Sequence, residues 1–352
     1  MNSSPTEALP RYDRTRSYAW NYENAPESAD VDVPPISGKW TFCGLPVDSP
    51  LGMPAGPLLN GKWILYYASL GFDVLTYKTA RSVARECFPL PNLQPVAVGQ
   101  LTGGEVHVPA IAEMAGSWAV SFGMPSTTPD VWRADIEKTR DQLPKGKLLS
   151  VSVVGTVQDG WTIDDLAADY VNCARWAVDS GADCIETNFS CPNVATCDGQ
   201  LFQQPDDAAT VTEAVRKAIG STPYIVKVGH LTDAGEVATL LGKIGAYVDS
   251  LAMTNSVAAQ VLTSDDELLF DGQPRGICGD ATRLASIGQT RLFAETIRAL
   301  KLDAQLIGVG GVSTAAHVRD YLAAGAESVH IATAAMVDPL IACRIRSELF
   351  GD

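Results

Sequence analysis

Along most of the chain, short apolar runs rich in β-branched residues alternate with longer segments whose apolar positions recur at helical spacing. Eight runs read as strands: residues 51–56 (LGMPAG), 73–78 (DVLTYK), 148–154 (LLSVSVV), 184–190 (CIETNFS), 224–229 (YIVKVG), 250–255 (SLAMTN), 306–310 (LIGVG) and 328–333 (SVHIAT). Between them lie amphipathic stretches such as TIDDLAADYVNCARWAVDSGA, DAATVTEAVRKAIG and STAAHVRDYLAAGA. In the first, Ile163, Leu166, Tyr170, Val171, Ala174 and Ala177 fall near one helical face, and the glycine ending each stretch is a plausible C-cap. Strands that alternate with helices imply parallel pairing, because a parallel neighbour requires a crossover. Eight such units over about 300 residues predict an α/β fold of the (β/α)8 TIM-barrel kind. No GxGxxG follows the first strand, which disfavours a doubly wound sheet.

Two segments are longer than ordinary connections. Residues 79–130 are rich in glycine and proline (FPLPNLQPVAVGQLTGG) and contain the apolar piece WAVSFGMP; residues 257–280 have the pattern of a hairpin. Both follow C-terminal strand ends, where barrel enzymes build their sites, so both are expected to wall or cover one. Residues 1–40 are polar and proline-punctuated (NAPESADVDVPP), which suggests an extended arm or short hairpin ahead of a single catalytic domain over 41–352.

Composition narrows the partners. The chain has 352 residues and carries 41 acidic against 26 basic residues, a net charge of −15 that would repel nucleic acid and anionic lipid. Eight cysteines occur without CxxC pairs, so neither a disulfide framework nor a zinc or iron–sulfur site is expected, and no metal is invoked. The first twenty residues lack the order of a signal peptide, and no apolar run reaches the length of a membrane helix, giving the expectation of a reduced cytoplasmic protein.

In a barrel, polar residues at C-terminal strand ends converge on the mouth. Lys78, Asn188, Lys227 and Asn255 sit at such ends, and each is costly to bury unpaired. The last two strands run into GVGGVST and ATAAM, where Gly310 and Gly311 permit close backbone approach and Thr333 can bond phosphate oxygens. Cys191 lies just past the fourth strand between Asn188 and Asn193; a thiol of unperturbed pKa about 8.5 is a feasible proton acceptor when modestly activated. Cys173, Cys184 and Cys343 read as packing residues. The histidines offer no Ser–His–Asp arrangement: His107 falls in a loop, His317 in a helix, and His230 at most lines the mouth.

The motifs NFSCPN, LTYKTARS, VKVG, MTNSV, LIGVGGVST and HIATA, in this order, resemble the class 1 dihydroorotate dehydrogenases. These are FMN-binding barrel enzymes with a cysteine base, and the flavin domain of dihydropyrimidine dehydrogenase carries a similar asparagine–cysteine motif. The resemblance spans about residues 43–340. It implies that Ala55, Gly56, Lys78 and Thr79 lie beside the flavin, with Ser152, Asn188, Thr254 and Gly279 also at the cofactor. Lys227 would face the flavin edge that gains negative charge on reduction, and Gly310, Gly311 and Thr333 would hold the phosphate, with Ala332 also at the cofactor. Asn188, Asn193, Asn255 and Ser256, with Gly123 and Met124, would hold a small cyclic amide or imide. Cys191 would take a proton from one substrate carbon as hydride leaves the next, oxidising dihydroorotate to orotate. The resemblance also implies a homodimer.

Three departures qualify it. The family's NSMGLPN loop is VSFGMPS here, so a substrate asparagine has become Val120. The second half of its GGLGG is CGD, residues 278–280, and the Gly-Thr of its last strand is Ala332-Thr333. Loss of one polar partner in a site that reads a polar substrate edge costs specificity, so another dihydropyrimidine or a specialised metabolite is an open alternative. A Schiff-base lyase using Lys78 or Lys227 and an inactive flavin-binding protein are minor ones. Without an NAD motif or iron–sulfur cysteines, the acceptor classes left open are fumarate, oxygen, a quinone or a partner subunit. A related tRNA-reducing flavoenzyme is disfavoured by the charge.

Overall fold

The computed structural model describes residues 9–190 and 200–349. Eight strands close into a parallel barrel in sequence order: β1 (Leu51–Met53), β2 (Val74–Ala80), β3 (Leu148–Val153), β4 (Cys184–Asn188), β5 (Tyr224–Lys227), β6 (Ser250–Met253), β7 (Gln305–Val309) and β8 (Ser328–His330). The predicted fold class is therefore the observed one. Closure pairs Val329 with Leu51 and His330 with Gly52, joining late chain to early chain. Every residue of β2 through β6 is buried, as expected of parallel strands covered by helices on one face and filled on the other.

The helices follow the sequence pattern. Helix Ile163–Asp179 starts in a capping box in which the Thr162 side chain accepts from the Asp165 amide while Asp165 accepts from the Thr162 amide. Gly181, Gly220 and Gly325 close their helices at positive φ, the conformation that only glycine adopts at little cost. At the N-terminal end, a hairpin of strands Trp40–Phe42 and Leu45–Val47 plugs the barrel, packing Phe42 and Val47 against Val74, Cys184, Ile225 and Ile307.

The two long segments do not form separate walls. Strands Leu93–Pro95, Ser117–Val120 and His107–Pro109 from the first join the hairpin of Val257–Leu262 and Arg275–Gly279 from the second in one five-stranded sheet. That sheet roofs the C-terminal mouth. His107, expected in a loop, opens one of its strands.

The N-terminal segment also differs from expectation. Instead of only an extended arm or hairpin it contains a helix, Tyr18–Glu23, whose first turn is capped by the Ser17 hydroxyl accepting from the Trp20 amide. The segment is fixed to the barrel: Trp63 Nε1 donates to the Asn21 carbonyl at 3.0 Å and the Tyr66 hydroxyl to the Pro10 carbonyl at 2.6 Å. Cys173 and Cys184 are buried as expected, whereas Cys343 is half-buried with its thiol donating to the Leu70 carbonyl. Among the described residues no helix is long and apolar enough to cross a membrane.

Candidate active site

Two connected spaces lie between barrel mouth and roof. The larger is a cleft of about 430 Å³ lined by Gly56, Lys227, Asn255, Gly279, Gly310, Gly311, Ala332 and Thr333 of the predicted set. The smaller, about 90 Å³, is lined by Ala55, Gly56, Lys78, Thr79, Gly123, Met124, Asn188, Lys227, Asn255 and Ser256. Gly56, Val120, Phe122, Lys227, Asn255 and Cys278 border both, so the two spaces share a wall.

Strand geometry explains why these side chains meet. Side chains on a strand alternate between faces, and the barrel interior takes one of them. Registers set Lys227 beside Asn188 across β5 and β4, so both point into the mouth with Lys78 from β2. Lys78 is 7% exposed, Asn188 6% and Lys227 5%. The Lys78 ammonium sits 5.2 Å from the Phe122 ring centre, a cation–π contact. Asn188 Oδ1 accepts from the Ser190 amide at 3.1 Å and its Nδ2 faces Met124 Sδ at 3.5 Å, which fixes the side-chain plane. Asn255 Nδ2 donates to the Ser190 carbonyl. Lys227 has no hydrogen-bond or ion-pair partner among the described residues, leaving a buried amine directed into shared space.

The predicted set does not sit in one layer. Ser152 is fully buried behind the wall, where its hydroxyl lies 3.1 Å from that of Thr79. Thr254 is also behind it, its amide donating to the Val309 carbonyl and its hydroxyl to Gln289 Oε1. Both brace lining residues. Cys191 and Asn193 lie outside the described residues.

Cys278 borders both spaces, and burial pushes its thiol up to about 12 against the lowering influence of Lys227. It therefore stays protonated near neutrality and is unsuited to act as a base. Phe122 is held from outside by the N-terminal segment, with Tyr12 and Tyr18 edge-on at 5.8 Å each.

His330 is a lining residue that sequence reasoning passed over. It is 2% exposed, its ring stacks on Phe42 at 5.7 Å, and its Nε2 has no hydrogen-bond partner. Alternation was the available signal, since His330 stands two positions before the singled-out Ala332. Trp118, the first residue of the apolar piece WAVSFGMP, and Met114, which no motif marked, supply an apolar ceiling.

The lining suits a flavin mononucleotide. Gly310 and Gly311 adopt φ of 146° and 64°, and a Cβ on Gly311 would lie 2.6 Å from Arg283 Cβ, so the floor there is bare backbone with no room for a side chain. An apolar ceiling and a buried amine supply a slot for a planar ring with a polar edge.

The sequence profile described as "Dihydroorotate dehydrogenase" matches residues 38–351. The dihydroorotate dehydrogenase of Dictyostelium discoideum is 32% identical over 358 residues, covering 95% of this chain and 96% of that protein. The catalytic subunit of the NAD(+)-linked dihydroorotate dehydrogenase B of Maridesulfovibrio salexigens is 26% identical, over 88% of this chain and 90% of the relative. Among solved structures, DHODH from Eimeria tenella in complex with ferulenol has a TM-score of 0.73 at 18% identity, covering 94% of this chain and 88% of that one, a likeness of fold. By profile, by end-to-end relatives and by barrel, the chain belongs to the dihydroorotate dehydrogenase family.

Proposed function

We propose that the protein is an FMN-dependent oxidoreductase of the class 1, cysteine-base type that oxidises dihydroorotate to orotate. The observation that carries this reading is the convergence of Lys78, Asn188, Lys227 and Asn255 on a recess sharing a wall with a glycine-floored cleft. FMN, when bound, would supply a two-electron acceptor for the hydride that leaves the substrate carbon adjacent to the one losing a proton.

The chain's own residues do the rest. Gly279, Gly310, Gly311, Ala332 and Thr333, which line the cleft, would hold the phosphate end of the cofactor. Lys227 places fixed positive charge where reduction accumulates negative charge, in a site that excludes water and so strengthens the interaction. Asn188 and Asn255, oriented through Ser190, present amides to the polar edges of a planar ring. The proton goes to the Cys191 thiolate; as that C–H bond breaks, its electron pair forms the ring C=C bond and hydride departs from the neighbouring carbon. Assignment to Cys191 gains weight because Cys278 is held protonated by burial. The five-stranded roof covers the mouth in which the reacting carbons would lie.

A second reading keeps the chemistry and changes the substrate. Val120 borders both spaces with a side chain that carries no hydrogen-bonding group, which favours a ring less polar on that side than dihydroorotate.

Anaerobic mixing of the flavoprotein with dihydroorotate tests the proposal. Flavin absorbance should bleach in the wild type, while Cys191→Ala should retain FMN and bleach only slowly or at high pH. No bleaching in the wild type moves the assignment to the second reading; undiminished bleaching in the variant removes the base from Cys191.

A further inference from the structure

We propose that Phe122 is a positioning residue for the Lys78 amine, and that the N-terminal segment completes the active site by fixing the Phe122 ring through Tyr12 and Tyr18. The inference rests on the function proposed above, in which Lys78 meets a substrate bound in the recess. It gives the N-terminal segment a part in the reaction that no motif assigned.

Lys78 has two spaces open to it. It lines the recess with Asn188 and Asn255, and it also lines a separate pocket of about 250 Å³ bordered by Tyr18 and Tyr22 of the N-terminal helix. An amine on a flexible four-carbon stem can turn to either side. Phe122 borders the recess and the cleft but not that pocket, and its ring centre lies 5.2 Å from the Lys78 ammonium. The cation–π attraction therefore draws the amine to the recess side, and Phe122 is buried, where such attraction is strongest. A ring steers an amine only if its own face is fixed. Tyr12 and Tyr18 meet Phe122 with ring planes 76° and 67° apart, in the edge-to-face arrangement that aromatic pairs favour. Asn21, also buried, ties the two tyrosines into one unit: its Oδ1 accepts from the Asp13 amide at 2.8 Å, and its Nδ2 donates to the Asp13 and Ser17 carbonyls at 2.9 Å each. Trp63 and Tyr66, which donate to the Asn21 and Pro10 carbonyls, fix that unit to the barrel. The amine is thus placed before substrate arrives, through contacts that begin outside the barrel.

The test is anaerobic single-turnover bleaching of the full-length flavoprotein by dihydroorotate, read as the limiting rate divided by the half-saturating concentration. Phe122→Leu keeps apolar bulk and removes the ring face; Tyr18→Leu removes one support that does not itself line the recess. Each is made in the wild type and in Lys78→Met, whose side chain has no charge to hold. The expected result is about tenfold loss in Phe122→Leu and about threefold in Tyr18→Leu, with the FMN content of the wild type. Neither change should cause further loss when added to Lys78→Met. An equal loss in the Lys78→Met background overturns the inference, since the aromatic residues then act as wall or scaffold alone. Full activity of Phe122→Leu overturns it as well, and full activity of Tyr18→Leu beside a weakened Phe122→Leu removes the N-terminal segment from it. Should Phe122→Leu fail to fold, Tyr18→Leu and its Lys78→Met partner decide by the same comparison. Absence of bleaching in the wild type overturns the substrate reading and this inference together, whereas wild-type bleaching with unaffected variants overturns this inference alone.

Discussion

Val120 decides at the level of one side chain what the site can recognise. It is paired with Leu93 and Gly276 in the roof sheet and borders both the cleft and the recess, so its methyls face the space where a ring would lie. If dihydroorotate is the substrate, Val120→Asn supplies a hydrogen bond and should raise kcat/KM for it by about tenfold, the equivalent of about 1.4 kcal/mol. Steady-state rates with the two proteins decide the matter; an unchanged or lower value assigns the pocket to a different ring. Residue-level legibility was uneven. Lys78, Asn188, Lys227 and Asn255 could be found because each is a polar residue ending an apolar run. His330 escaped because it lies within an apolar run, SVHIAT, where a neutral buried imidazole looks like packing. The support roles of Ser152 and Thr254 escaped as well, because sequence does not distinguish a side chain on the wall from one bracing it.

The roof sheet shows how elements cooperate across sequence distance. Its central strands, Ser117–Val120 and Arg275–Gly279, come from different insertions and pair antiparallel, Gly279 opposite Ser117. Gly279 sits at φ 100°, and a Cβ there would fall 2.2 Å from the Gly116 carbonyl oxygen, a backbone atom that cannot step aside. Gly279→Ala should therefore pull the roof from the cleft, lowering FMN affinity at least tenfold while the barrel's far-ultraviolet circular dichroism is kept; affinity equal to wild type would show that the junction is dispensable. The eight barrel strands and the principal helices were legible because they repeat a long, regular pattern. The roof was not: its strands are 3 to 6 residues long and their partners come from distant sequence, so local periodicity gives no sign of the pairing. The six-residue helix Tyr18–Glu23 is too short to display a period, and its Ser17 cap was its only mark.

Over the whole molecule, stability and site share groups. Asp73 at the N-terminal edge of β2 takes Arg346 at 2.8 Å and Lys147 at 2.7 Å, tying the helix Ile341–Leu349 to the barrel. His330 makes stability depend on pH. Its folded pKa of about 3 lies below its ordinary 6.5, so below pH 6.5 the unfolded chain binds a proton that the folded chain refuses. The contribution is complete above pH 6.5 and is lost as pH falls towards 3, at up to about 1.4 kcal/mol per unit. Much of that window lies above the range in which Glu105, lowered from 4.5 to about 2, loses its own contribution. Denaturant titrations between pH 7 and 5 should show this slope in the wild type and a flatter one in His330→Phe; equal slopes would mean that His330 is protonated in the folded state. Closure of β8 onto β1 has a consequence for biosynthesis. The cleft draws its lining from Pro54 through Arg344, so a nascent chain still missing β7 and β8 has no floor on which to seat a cofactor. On the flavin reading, uptake must therefore follow emergence of β7 and β8 from the ribosome, and supply of cofactor acts on the closed barrel without templating its assembly.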